Sequence, residues 1–499
     1  MTAFILVSDV YTAGWIWQEA AAGLRRSGAE AVPVTLTGMG ERRAEAGPGT
    51  NLDTHIEDVV HALDDLDAPG AVLVGHGYGI LPVLGAAERR PERVARVVYL
   101  DAGMPRSGDP ALAVLPDPTV GERLQAAGQQ DRPVAPPPAG EWQRCGSTVG
   151  VPPAALTELA RLAAPQPAGT LTQPLHLTGT AAALPTTGVL CTASGADIGL
   201  LELLVGMGDP HLRALTEDRV RFFELDTGHW PMLACPDALT DVLLRAAAGE
   251  GHRLTAAPDA QPAHLRPFLL DPPESRRERT GRIDLHLPEA DGPRPAVLFV
   301  HGGPVPAEVR PTPRETPTFT GYARLVASRG AVGVTLDHRL HALTDFGRAA
   351  DDVAEAVALL RADPRVDADR IALWFLSAGG LLSARWLAAP EPWLRCVALT
   401  YPVLAPLPNW GLDPAGLDAA RAVPGAGTLP VVLTRVERES PAIAATVGEF
   451  VAAAADCGAD VEIIDVPGAR HGFETLDHTP QTREAVHHAV EEVLERLDR

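Results

Sequence analysis

The chain has 499 residues, which is too long for one ordinary hydrophobic core and predicts two or three domains. Its apolar content of 46% and charged content of 21% are those of an ordinary globular protein. A formal net charge of −22 argues against nucleic acid as a partner. No run of eighteen apolar residues and no N-terminal charged-then-apolar signal occurs, so we expect a cytoplasmic protein with no membrane partner.

The sequence contains no lysine, so all 42 basic residues are arginine. Schiff-base and pyridoxal-phosphate chemistry need a lysine amine, and a P-loop needs its lysine, so these classes are excluded. The five cysteines are scattered without close pairs. That spacing argues against a disulfide framework and against a zinc site, and we expect no bound metal.

The first half alternates short apolar runs with amphipathic stretches. The apolar runs predict strands over 4–7, 31–34, 71–74, 94–100, 188–192 and 220–225. Apolar residues at helical spacing predict a helix over 54–66, whereas the Pro-rich segment from about 104 to 185 is less periodic. Strands and helices that alternate in this way predict a parallel sheet with helices on both faces.

Four motifs stand in this half: LTGMGER at 36–42, VGHGYG at 74–79, VYLDA at 98–102 and DTGHWPM at 226–232. Together they resemble the α/β-hydrolase superfamily, in particular its small esterase and hydroxynitrile-lyase-like group. The resemblance covers about residues 1–248 and implies an α/β-hydrolase domain with a cap at about 105–185.

The same resemblance indicates that the first half has lost its nucleophile. The central serine of the family's Gly-x-Ser-x-Gly motif is replaced by Gly77, which has no side chain to attack a substrate. The His-Gly pair that shapes the family's oxyanion hole is Ser-Asp at 8–9, and a carboxylate there would repel an oxyanion. His229 stands at the expected place, and the acid position falls near Ser194, with Asp197 as the nearest carboxylate. We therefore predict a pseudo-hydrolase domain with Gly77, His229 and Asp197 as its vestigial site.

Residues 249–265 are rich in Gly, Ala, Pro and His without apolar periodicity, which is typical of a linker. The second half, about 266–499, resumes the alternation of the first. We predict strands over 283–288, 296–300, 332–336, 372–375, 397–400, 431–434 and 461–464. Helical stretches are predicted over 322–328 and 344–360.

An apolar strand runs to Phe375, the chain turns at Ser377, and small residues follow. That pattern is typical of a nucleophile elbow, in which a tight strand-to-helix turn lifts one hydroxyl above a parallel sheet. HGGP follows a strand at 301–304, and its two glycines can turn backbone N–H groups toward a ligand, as an oxyanion hole requires. Phe375 stands where the elbow motif has glycine, so we also expect a distorted turn.

These segments, with DHRL at 337–340 and HGFE at 471–474, resemble dienelactone-hydrolase-like esterases of the same superfamily. The resemblance implies a triad in the chain order Ser, acid, His. Ser377 matches the nucleophile and His471 the base. The acid is expected after the strand over 431–434, where Glu439 aligns and Glu437 is the rival.

The expected chemistry follows from these residue types. A serine hydroxyl attacks only when a neutral imidazole accepts its proton, and a carboxylate holds that imidazole in the required tautomer. The backbone N–H groups of Gly302, Gly303 and Ala378 would then bind the oxyanion.

We therefore predict two tandem α/β-hydrolase domains, each a mostly parallel sheet flanked by helices. The second would act as a serine hydrolase on a small ester, thioester or lactone, without a cofactor. Two alternatives stay open. One is a non-hydrolytic isomerase, epimerase or cyclase that uses His229 in acid–base catalysis. The other is a catalytically inactive binding or scaffold protein, which Asp9 and Phe375 favour.

Overall fold

The computed structural model describes residues 2–113, 115, 117, 120–121, 124, 132–207, 212–254, 262–407, 410 and 412–498. It divides into two compact units, one built on a six-stranded sheet and the other on an eight-stranded sheet. Part of the predicted cap and residues 255–261 of the predicted linker lie outside the described residues, and the domain bounds stay predictions. Within the described ranges, no helix is long and apolar enough to cross a membrane.

The sheet of the first unit is wholly parallel, with the strand order β2-β1-β3-β4-β5-β6. Its strands are β1 (Ala3–Val7), β2 (Glu30–Val34), β3 (Ala71–His76), β4 (Val94–Leu100), β5 (Thr186–Cys191) and β6 (Val220–Leu225). β1 and β3 are buried along their whole length, which is expected where helices cover both faces of a parallel sheet.

The helices of this unit are α1 (Gln18–Arg26), α2 (Leu52–Asp64), α3 (Ile80–Arg89), α4 (Pro153–Leu162), α5 (Ala168–Thr172), α6 (Ile198–Met207), α7 (Pro231–Ala234) and α8 (Pro236–Ala247). The helix predicted over 54–66 begins two residues earlier than expected. The reason is a capping box, in which the side chains of Asn51 and Thr54 each accept a backbone N–H from the other residue.

The sheet of the second unit is mixed, with the order β14-β13-β12-β11-β9-β10-β8-β7. Its strands are β7 (Arg276–Thr280), β8 (Ile283–Leu287), β9 (Arg294–Val300), β10 (Val332–Leu336), β11 (Val366–Leu376), β12 (Leu394–Thr400), β13 (Val431–Arg438) and β14 (Val461–Arg470). Its helices are α9 (Pro317–Ser328), α10 (Phe346–Ala362), α11 (Ala384–Ala388), α12 (Ala419–Ala422), α13 (Pro441–Cys457), α14 (Phe473–Leu476) and α15 (Pro480–Asp498). β8 pairs antiparallel with β7 at the sheet edge and with β10 on its other side, and the strands from β9 onward pair with one another in parallel.

The parallel part of the second sheet repeats the strand order of the first. β10-β9-β11-β12-β13-β14 corresponds strand by strand to β2-β1-β3-β4-β5-β6. Because parallel strands bring their carboxyl ends to one edge, the loops after corresponding strands meet at that edge in each unit. Equivalent positions in the two halves can therefore be compared directly.

Most predicted strands are confirmed, and those over 94–100, 220–225 and 332–336 have the predicted bounds. β7 was not predicted. Its sequence, RRERT, is polar and almost entirely exposed, because it lies at the sheet edge and pairs with β8 alone. A strand without a buried face carries no apolar alternation to detect.

Candidate active site

The turn after β11 places Ser377 at the carboxyl edge of the second sheet. Ser377 has a φ of +55°, a left-handed conformation that few non-glycine residues adopt. Close backbone approach accompanies this turn, since a β-carbon on Gly379 would lie 2.6 Å from the carbonyl oxygen of His301. The predicted elbow is therefore present, and the Ser377 side chain is only half-buried.

Ser377, His471 and Glu439 form one hydrogen-bonded chain. The Ser377 Oγ lies 2.7 Å from His471 Nε2, and His471 Nδ1 lies 2.8 Å from a Glu439 carboxylate oxygen. An ionised carboxylate only accepts hydrogen bonds, so Nδ1 carries the proton and Nε2 is free to accept the serine proton. The His471 and Glu439 side chains are 6% and 8% exposed, which shields their contact from water.

The structure separates the two candidate acids. Glu439 comes one residue after β13, with its Oε2 on His471 and its Oε1 accepting the N–H of Ser440. Glu437 lies within β13, is exposed, and accepts the N–H of Gly468 instead. Glu439 is thus the carboxylate at His471, and Glu437 is not.

The loop after β9 brings backbone N–H groups to Ser377. The His301 ring Nδ1 donates to the carbonyl oxygen of Gly302 at 2.5 Å. C=O and N–H point in opposite directions in a trans peptide, so this bond turns the N–H of Gly303 away from His301. In the described part of the chain, neither Gly302 nor Gly303 donates its N–H to a protein acceptor. A β-carbon at Gly302 would also lie 3.2 Å from the backbone nitrogen of Ala378, so two of the three predicted oxyanion donors, Gly302 and Ala378, are neighbours.

Phe375 changes the helix after the elbow and leaves the elbow itself in place. At the equivalent position of the first unit, a β-carbon on Gly75 would lie 2.5 Å from the Cα of Ile80, where α3 begins. In the second unit Phe375 is fully buried, and residues Ser377–Ser383 form a 3₁₀ turn before the five-residue α11. The expected distortion therefore falls on the start of the helix, where the 3₁₀ turn spans seven residues in the second unit and only Gly77–Gly79 in the first.

A buried carboxylate that the sequence reasoning missed lies beside His471. Glu474 accepts hydrogen bonds of 2.8 Å from the hydroxyls of Tyr322 and Tyr401. Burial raises the pKa of Glu474 above its usual range, and the two hydroxyl donors only partly oppose this effect. The Tyr401 ring centroid is 4.4 Å from that of His471, so this network forms one wall around the imidazole.

The first unit holds a different arrangement at the equivalent edge. His229 lies between two carboxylates, with Nδ1 2.7 Å from Asp101 Oδ2 and Nε2 3.0 Å from Asp9 Oδ2. Each ionised carboxylate requires a donor, so both ring nitrogens are protonated and His229 is an imidazolium. Burial alone would lower the pKa of His229, but the bonds and charges of Asp101 and Asp9 outweigh it and raise the pKa to about 10.

The prediction of Asp197 as the acid of this site is wrong. Asp197 accepts the N–H of Leu200 at the start of α6, whereas Asp101, directly after β4, contacts His229. Ser194 occupies the expected acid position after β5, and its hydroxyl donates to Asp101 Oδ2 at 2.7 Å. The carboxylate at His229 thus follows β4, whereas the carboxylate at His471, Glu439, follows β13, the counterpart of β5. An aspartate directly after a strand, in VYLDA, was the available signal.

Asp9 fills the space above Gly77. Gly77 has a φ of +50°, so the elbow turn persists without its serine. A β-carbon on Gly77 would lie 2.3 Å from the carboxyl carbon of Asp9. The other Asp9 oxygen accepts the backbone N–H of Tyr78 at 2.6 Å, and Tyr78 is the counterpart of the oxyanion donor Ala378. Burial raises the pKa of Asp9, but His229 outweighs this effect and the pKa lies below its usual value.

The strand order and this site define the first unit as an α/β-hydrolase domain, and comparison with known proteins agrees. Residues 4–242 match the model of the Alpha/beta hydrolase family.

Curated relatives include a carbendazim-hydrolysing esterase of Nocardioides sp. (strain SG-4G), 37% identical over 116 residues. Esterase PIR7B of Oryza sativa subsp. japonica is 34% identical over 107 residues. These alignments cover 23% and 21% of this chain, and 48% and 40% of the two esterases, so each spans less than half of its relative.

Solved structures that match part of this chain include the methylesterase MES16 from Arabidopsis. It has a TM-score of 0.40 and 20% identity, and the match covers 50% of this chain and 99% of that one. An extracellular α/β-hydrolase from a Paenibacillus species has a TM-score of 0.41 and 20% identity, over 49% of this chain and 99% of its own.

Among the residues that the structure describes, no group of three or more His, Cys, Asp or Glu side chains is placed to hold a metal ion.

Proposed function

We propose that this chain is a serine hydrolase of small carboxylic esters, thioesters or lactones, and that its reaction takes place in the second unit. The observation that carries the proposal is the chain of hydrogen bonds from Ser377 through His471 to Glu439, at 2.7 and 2.8 Å. The family match of the first unit and its esterase relatives support the same substrate class. We assign the first unit as the pseudo-hydrolase domain of a tandem pair.

The geometry supports a two-step acyl transfer. His471 Nε2 takes the proton as the Ser377 Oγ attacks the acyl carbon, and then gives it to the leaving alcohol or thiol. The resulting acyl-serine is hydrolysed by water, which His471 activates in the same way. The N–H groups of Gly303 and Ala378 stabilise the oxyanion in both steps.

The non-hydrolytic alternative at His229 has less support. A general base must have a nitrogen that can accept a proton, and both nitrogens of His229 are bonded to carboxylates.

A serine-directed fluorophosphonate tests the proposal. We expect the full-length protein to be labelled once, on the peptide that contains Ser377, and Ser377→Ala to abolish the label. Ser328→Ala removes an exposed serine at the end of α9 and serves as the matched control with full labelling. A folded Ser377→Ala protein labelled as strongly as the parent would refute the assignment.

A further inference from the structure

In each unit the loop after the first parallel strand faces the elbow residue, which gives the pairs Gly302 and Ser377 in the second unit and Asp9 and Gly77 in the first. The side chain comes from the elbow in the second unit and from the loop in the first. In the second unit Gly302, the second residue after β9, has no side chain, and the elbow residue Ser377 has its β-carbon 2.8 Å from where a Gly302 β-carbon would be. In the first unit the elbow residue is Gly77, and the facing residue, Asp9, carries the side chain. Each pair has room for one side chain, so the first unit holds a carboxylate where the second holds a nucleophile.

The Asp9 carboxylate makes the two contacts expected of a carboxylic acid product. One oxygen accepts the N–H of Tyr78, the counterpart of the oxyanion donor Ala378, and the other contacts His229 Nε2, the counterpart of the nitrogen that serves Ser377. A product acid leaving an acyl-serine would place its two oxygens against this same N–H and imidazole. Asp9 therefore occupies both the Tyr78 N–H and the His229 Nε2 with a carboxylate from the same chain.

We infer that the first unit retains a working carboxylate site whose permanent ligand is its own Asp9, and that removing this side chain lets the site bind small monocarboxylates such as formate and acetate. The donors remain when Asp9 is removed, because Asp101 and Ser194 hold His229 independently of it. Asp9 is 4% exposed, but Gly77, which borders the vacated position, is only half-buried. The comparison with a product acid rests on the proposed function, whereas carboxylate binding by the first unit is measured without the reaction of the second.

The binding test uses full-length Asp9→Ala with sodium formate or acetate. We expect the variant to melt below the parent and carboxylate to raise its Tm, by about 3 °C at ten times Kd. Chloride and the neutral acetamide should give no such rise at the same concentration. Asp9→Asn is the matched control: its amide keeps the site filled, so formate should leave its Tm unchanged.

A rise of equal size with chloride, with acetamide, in the parent or in Asp9→Asn would overturn the inference. So would a folded Asp9→Ala protein that does not respond to carboxylate.

A second test builds the side-chain arrangement of the second unit into the first unit. It measures covalent labelling, so it remains informative even if Asp9→Ala does not fold. The variant Asp9→Gly/Gly77→Ser exchanges the side chain across the pair, in a Ser377→Ala background that silences the second unit. With a fluorophosphonate, the new Oγ–P bond forms as P–F breaks, fluoride leaves, and His229 Nε2 takes the hydroxyl proton.

We expect label on the peptide that contains position 77. Gly77→Ser/Ser377→Ala keeps Asp9 and is compared as a protein that a thermal melt shows to be folded; we expect its labelling to be at least about 100-fold slower because Asp9 still occupies the imidazole and the N–H. Equal labelling of the two variants, or no label in a folded exchange variant, would overturn the inference.

Discussion

A β-carbon placed on Gly302 would lie 2.8 Å from the β-carbon of Ser377, closer than real carbon atoms approach. Gly302→Ala must therefore push the elbow or the loop after β9 out of place. We expect kcat for an activated ester to fall by about 100-fold or more, since the oxyanion donors move with that loop. Gly347→Ala is the matched control, because an added β-carbon there meets nothing within 4 Å and the residue is exposed on α10. Comparable kinetics in the two variants would contradict this account of the loop.

Glu439 should support catalysis, and Glu437 should not. Glu439→Gln removes the charge at His471 Nδ1 and permits the wrong tautomer, so we expect kcat to fall by about 10²- to 10⁴-fold. Glu437→Gln loses only an exposed contact to a backbone N–H and should stay near the parent rate. Steady-state kinetics on an activated ester measure both. A loss at position 437 with none at 439 would reverse the assignment.

The hydroxyl of Tyr401 should matter to catalysis more than that of Tyr322. Each donates one hydrogen bond to buried Glu474, so Tyr401→Phe and Tyr322→Phe should each lower the free energy of unfolding by about 1–3 kcal/mol. The Tyr401 ring also contacts His471, so losing its tether should lower kcat and shift the pH–rate profile. Matched stability losses with equal rates in both variants would show that the network is structural alone.

The contact between His229 and Asp9 predicts a pH-dependent stability. The folded-state pKa of His229 is raised to about 10 from 6.5, so its contribution to stability is complete below pH 6.5 and is lost as the pH rises through 10. Asp9→Asn removes part of the cause, so the Tm difference between parent and variant should shrink from pH 7 to pH 10.5. Thermal melts across this range measure it, at about 2–4 °C per kcal/mol for a unit of this size.

Asp197→Asn provides the control for that experiment. Among the described residues, Asp197 accepts the N–H of Leu200 and is not a hydrogen-bond partner of His229, so its variant should follow the pH dependence of the parent. A parent–Asp9→Asn difference that stays constant or grows above pH 8 would contradict the ion-pair assignment.

The sequence by itself determined most strands of the second unit and the turn at Ser377. Buried parallel strands are continuous apolar runs, and the loop residues directly after them reach the same sheet edge whatever the details of packing. Ser377, His471 and Glu439 each directly follow such a strand, and the resemblance to dienelactone-hydrolase-like esterases pointed to Ser377 and His471, while Glu437 stayed open as a rival of Glu439. Gly77 also follows such a strand, so the absence of a side chain at that elbow could be seen in the sequence.

Only the tertiary structure decided what replaces that side chain and which acid holds His229. Asp101 and His229 are in contact although they are 128 residues apart, which no local pattern encodes. Ser194 donates to the same carboxylate because β4 and β5 are neighbouring strands. Asp9 and Gly77 are likewise 68 positions apart, and their facing places follow from the pairing of β1 with β3. Local periodicity reports which face of an element is buried, whereas contacts between loop side chains depend on the order of the strands in the sheet.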